Sequence, residues 1–133
     1  MADRKPLEFL NHPMPFPPYS EYRGHCRYVT DGDTVDLLVD KGLNKYDYET
    51  FRLKDVDARE IHGGTLATKA AAQEDKRFVE ARILHQPVRV RTFKDLATFG
   101  RYVAEIWYWD AGGAEHCLNE EIAEHLAATP VLE

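Results

Sequence analysis

The chain has 133 residues, 44% of them apolar and 30% charged, the length and balance of one ordinary globular domain. No run approaches the roughly eighteen apolar residues of a membrane-spanning helix, and "MADRKPLEFL" lacks the apolar stretch of a secretory signal; a cytoplasmic protein without membrane contact is expected. The formal charge of −6 is uneven, since residues 105–133 hold seven acidic residues and no Lys or Arg, so any nucleic-acid partner must be met by a local basic patch such as Arg52, Arg89, Arg91, Lys94 and Arg101.

Residues 1–22 carry five of the seven prolines, a composition that builds neither a helix nor a central strand, and they are read as an extended arm preceding a domain over 23–133. From 25 to 30 the chain reads as a strand, turned by Asp31-Gly32-Asp33. Residues 34–39 alternate, with Val35, Leu37 and Val39 inward. "DKGLNKYDYE" reads as a polar connection, and "TFRLKDVDA" as a third strand with Phe51 and Leu53 on the core side. After Gly63-Gly64, the spacing of Leu66, Ala70, Phe78, Ala81 and Leu84 predicts a long helix over 66–84. "PVRVRTF" is a fourth strand with Val88, Val90 and Thr92 on one face. Phe99-Gly100 turns into a fifth strand, "RYVAEIWYW", and a second helix spans about 118–127. Five strands with a long helix after the third describe an α+β protein built on a five-stranded barrel of the oligonucleotide-binding (OB) type.

Polar residues interrupt this pattern at the strand ends: Asp31, Asp33, Arg52, Asp57, Glu60 and Arg101. Carboxylates from separate strands suit a hard cation such as Ca²⁺ or another divalent ion, a glutamate can take a proton from water, and guanidiniums grip phosphate bidentately. The plain alternatives are a turn aspartate and solvated strand-end charges. Arg52 and Asp57 lie an odd number of residues apart and face opposite ways if the strand runs through both. Cys26 and Cys117 have no CxxC spacing and read as buried thiols. A zinc site from His25-Cys26 and His116-Cys117 is the lesser possibility. Tyr46, Tyr48 and Tyr102 are candidates for stacking on bases.

"VTDGDTVDL", "FRLKDVDAREI" and "FGRYVAEIW", in that order, together with "LNEEIAEHLA", resemble the staphylococcal-nuclease (thermonuclease) family over residues 25–127. The resemblance implies the five-stranded barrel and a Ca²⁺-dependent hydrolysis of DNA or RNA phosphodiesters with little sequence specificity. Carried over by motif position, Asp33, Asp57 and the main-chain carbonyl of Ala58 are the expected metal ligands, with Asp31 close behind them. Glu60 is the expected general base, and Arg52 and Arg101 the phosphate-binding residues. The chain departs from the family pattern at Ala58 (Thr is usual), Arg59 (Pro is usual) and Ala97 (often Asp). A C-terminal helix common in the family is not expected here, which leaves core closure to the arm or to a second copy in a homodimer. The alternative is an OB-type module that binds nucleic acid or protein without hydrolysing anything.

Overall fold

Alternation builds the barrel. Val35, Leu37 and Val39 point to one side of their strand, Val88, Val90 and Thr92 to one side of another, and all six are buried. A computed structural model describes residues 19–59, 64–94 and 102–131. Its elements are β1 (Ser20–Asp31), β2 (Thr34–Gly42), β3 (Lys45–Leu53), α1 (Leu66–Ile83), β4 (Pro87–Lys94), β5 (Tyr102–Trp109), β6 (Glu115–Cys117) and α2 (Leu118–Ala128). The order β3-β2-β1-β4-β5 is antiparallel throughout. A short parallel pairing of Arg52-Leu53 with Val103-Ala104 closes it into a five-stranded OB-type barrel. β6 extends the sheet beyond β5.

Inside the barrel lie Val29, Val35, Leu37, Val39, Leu53, Val88, Val90 and Ile106. Val79 and Ile83 of α1 and Leu118 and Ile122 of α2 join the same core. In β1 the register shifts between Cys26 and Tyr28, which lets Cys26 and Val29, an odd number of residues apart, both face inward. Thr65 caps α1 by accepting from the Thr68 N–H at 3.2 Å.

The structure corrects five expectations about the elements. β1 begins at Ser20, inside the stretch assigned to the arm, and the rest of the arm lies outside the described residues. The "polar connection" is the turn end of a long β2–β3 hairpin, turned by Leu43 and Asn44 with φ of 53° and 60°. The outer ends of these strands carry no apolar alternation, because residues 41–48 are exposed on both faces. β3 ends at Leu53 rather than running on to Ala58. The buried stripe of α1 is Ala72, Asp75, Val79 and Ile83, not the one expected, and Leu66 is 86% exposed. β6 is too short to leave a pattern.

Candidate active site

The hairpin turn between β1 and β2 is Gly32-Asp33, with Asp31 and Thr34 in register on either side. Gly32 is there for space: a Cβ on it would stand 2.8 Å from the Cβ of Asp75 and 3.0 Å from that of Ala58. Asp33 is therefore pressed inward, 8% exposed, and its carboxylate is fully engaged. Oδ1 accepts from the Thr34 hydroxyl at 3.0 Å, and Oδ2 accepts from the Ala58 N–H at 3.2 Å and from Arg52 Nη2 at 3.4 Å. Its own carbonyl accepts from the Leu53 N–H at 2.7 Å, so the start of β2 and the end of β3 are tied together.

The parity problem between Arg52 and Asp57 resolves locally. β3 stops at Leu53, and Lys54-Asp55 turns the chain with φ of 60° at Asp55. That turn sets Asp57 on the same side as Arg52, whose Nη2 also donates to Asp57 Oδ1 at 3.2 Å. Lys54 Nζ holds Asp55 Oδ2 at 3.0 Å, and this hydrogen bond raises the lysine pKa above its ordinary value. One guanidinium nitrogen thus touches two carboxylates that are twenty-four positions apart in the chain.

The geometry brings two side-chain carboxylates together, and a hard divalent cation would draw its side-chain ligands from those two. Asp33 and Asp57 offer carboxylate oxygens to a point that already balances one positive charge, the oxygen-only chemistry Ca²⁺ selects. Asp33 is anchored by two neutral donors besides Arg52, the Thr34 hydroxyl and the Ala58 N–H. Ala58 is seen to contribute its N–H, and Asp31 closes β1 directly before the turn. Glu60, Arg101 and Ala97 lie outside the described residues. In the chain, Glu60 directly follows the anchored Arg59, and Arg101 directly precedes β5, where Val103 is in register with Arg52.

Arg89 and Arg91 are held in ion pairs. Arg89 pairs with Glu21 at 2.9 Å and Glu115 at 2.5 Å, Arg91 with Glu21 at 3.0 Å, and both guanidiniums lie over the Trp107 ring. The Arg91 hydrogen bond holds Glu21 below the usual carboxylate value. Tyr46, Tyr48 and Tyr102 are exposed. Cys26 is a buried free thiol pushed up to about 11 by burial, and Cys117 is also free. Among the described residues no group of three His, Cys, Asp or Glu side chains is arranged to hold a metal. No helix among them is long and apolar enough to cross a membrane.

Sequence reasoning missed two residues that organise the site, Asp75 and Arg59. Asp75 sits on the buried stripe of α1, where a lone carboxylate at helical spacing among Ala72, Val79 and Ile83 is the signal that marks it. Arg59 stood out only as a departure from a motif. No known protein-family model and no curated protein matches this chain.

Proposed function

We propose that this protein is a metal-dependent phosphodiesterase that hydrolyses DNA or RNA with little base specificity. The observation that carries the reading is the convergence of Asp33 and Asp57, from two motifs, on one nitrogen of Arg52. The order of the motif blocks and the OB-type barrel support it.

Asp33 and Asp57 would hold a divalent cation, Ca²⁺ by the resemblance, with the Ala58 carbonyl as a third protein ligand. Bound there, the ion supplies Lewis-acid polarisation of a phosphate oxygen. The buried Asp33 keeps the ligand oxygens fixed through the Ala58 and Thr34 donors. Arg52, half-exposed between two acids, would turn to a phosphate oxygen and stabilise the charge that builds on it during in-line attack. Arg101 shares that role, and Glu60 takes the proton from the attacking water.

Plasmid, single-stranded DNA and RNA are incubated with Ca²⁺, with Mg²⁺ or Mn²⁺, and with chelator. Hydrolysis is expected with a divalent ion and not with chelator, and Glu60→Gln is expected to slow it about a hundredfold. A rate within a few-fold of wild type removes Glu60 from its role. Calorimetry with a nucleoside 3′,5′-bisphosphate distinguishes the binding-module alternative. Mutual strengthening of ion and nucleotide binding is expected of the enzyme; its absence, together with no hydrolysis under any ion, overturns the proposal.

A further inference from the structure

Asp75 is 0% exposed and lies beneath both loops of the site. Its Oδ2 accepts from Arg59 Nε at 2.7 Å and from the Arg59 backbone N–H at 3.3 Å, and its Oδ1 accepts from Arg59 Nη2 at 2.5 Å. His125 Nε2 is 3.2 Å from the same Oδ1. The guanidinium of Arg59 reaches on to the end of α2, giving Nη1 to the Thr129 carbonyl at 2.6 Å and Nη2 to its hydroxyl at 3.0 Å. On its other side Asp75 meets Gly32, where no side chain would fit. One residue thus touches three segments: its carboxylate holds Arg59, the residue after Ala58, and meets His125 in the last turn of α2, while its Cβ and main chain pack against Gly32 in the turn that carries Asp33.

A buried ion pair is a poor source of stability, because apolar side chains of equal volume do as well or better in its place. Its particular gift is fixed direction, since a bidentate guanidinium–carboxylate pair admits little rotation. We infer that Asp75, acting through Arg59, is the positioning residue of this site. It clamps residues 56–59 against the Gly32 turn and sets where Asp33, Arg52 and Asp57 meet; Arg59, the residue before Glu60 in the sequence, is the one it holds. The ion pair supplies by side chain the rigidity that a proline at position 59 would supply by its ring. The predicted effect on rate rests on the phosphodiesterase reading; the effect on geometry does not.

Arg59→Ala and the gentler Arg59→Lys, which keeps charge and length but loses the fork, are compared at a temperature where circular dichroism shows all proteins folded. Two quantities are read: amide hydrogen exchange at Ala58, whose N–H is held by Asp33, and kcat and KM for hydrolysis. Arg59→Ala is expected to speed Ala58 exchange tenfold or more while Val90 and Ile106 keep their wild-type rates. It is also expected to lower kcat about ten- to a hundredfold with KM within about twofold, and Arg59→Lys is expected to fall between on both measures. A purely stabilising ion pair would lower the melting temperature and leave both quantities alone. Unchanged Ala58 exchange in a folded variant overturns the inference, as does an unchanged kcat in a variant of an active wild type. A wild type without hydrolysis counts against the phosphodiesterase reading alone, and the exchange measurement then decides the inference.

Discussion

Gly32 and Asp33 do different work within one turn. Asp33 carries charge to the site, while Gly32 supplies only the absence of a side chain against Asp75 and Ala58. Gly32→Ala forces those neighbours apart, and a loss of about 1–3 kcal/mol is expected in urea unfolding. An unchanged midpoint would mean that α1 yields without cost. His116 offers a residue-scale test against pH. Its Nε2 lies 2.8 Å from Asp110 Oδ2, and that hydrogen bond, outweighing the lowering effect of desolvation and aided by the charge of Glu121, sets its pKa above the ordinary 6.5. A pKa raised by folding adds stability that is fully present below the unfolded value and is lost as pH rises through the folded one. From about pH 6 to pH 8 the wild type is therefore expected to lose its stability advantage over His116→Gln. The group is solvent-exposed, so added salt should blunt the difference. Equal pH profiles for the two proteins would show the pair to be inert.

Among the elements, the β2–β3 hairpin and α2 carry the clearest consequences. A two-residue turn with both central φ angles positive favours Asn-Gly, yet Leu43 occupies the first position, 94% exposed. Leu43→Asn with Asn44→Gly should raise stability by roughly 1 kcal/mol without changing the slope of urea unfolding. A lower midpoint would show that Leu43 has a packing role the exposed hairpin hides. α2 reinforces the short β3–β5 closure with a side chain. β5 pairs with β3 only at Val103-Ala104 and with β6 from Trp107 onward, and Asn119 bridges the gap. Its Oδ1 accepts from the Ile106 N–H at 2.9 Å, and its Nδ2 donates to the Ala104 carbonyl at 2.9 Å and the Lys54 carbonyl at 3.0 Å. Asn119→Leu takes these bonds from the Ile106 N–H and the Lys54 carbonyl, while the Ala104 carbonyl keeps the Lys54 N–H at 2.8 Å, and should cost about 3 kcal/mol or more. A loss below about 1 kcal/mol would mean water replaces the amide.

For the molecule as a whole, charge is the governing quantity. The chain is net acidic, its last twenty-nine residues hold no Lys or Arg, and Arg89 and Arg91 are spent on Glu21 and Glu115. If Arg52 and Arg101 are the phosphate contacts, binding of duplex DNA should weaken with salt on a shallow logarithmic slope of about −1.5 to −2. A slope steeper than about −4 would reveal a basic surface that these two arginines do not account for. Such an enzyme would depend on the divalent ion, more than on a basic groove, to bring a polyanion to an acidic surface.

The amino-acid sequence by itself determined the barrel strands with one buried face, the two helices, and the motif positions of Asp33, Arg52 and Asp57. Those are properties of local periodicity and short spacing, which a linear chain carries openly. The tertiary structure alone decided that Arg52 reaches both acids, because that depends on where β3 stops and how Asp55 turns. It alone placed the turn end of the β2–β3 hairpin, whose exposed faces leave no pattern, and it gave Asp75, Arg59 and Asn119 their work. Each of those three acts on atoms of segments remote in the chain. Long-range hydrogen bonds of that kind follow from packing, and no periodicity in one segment records them.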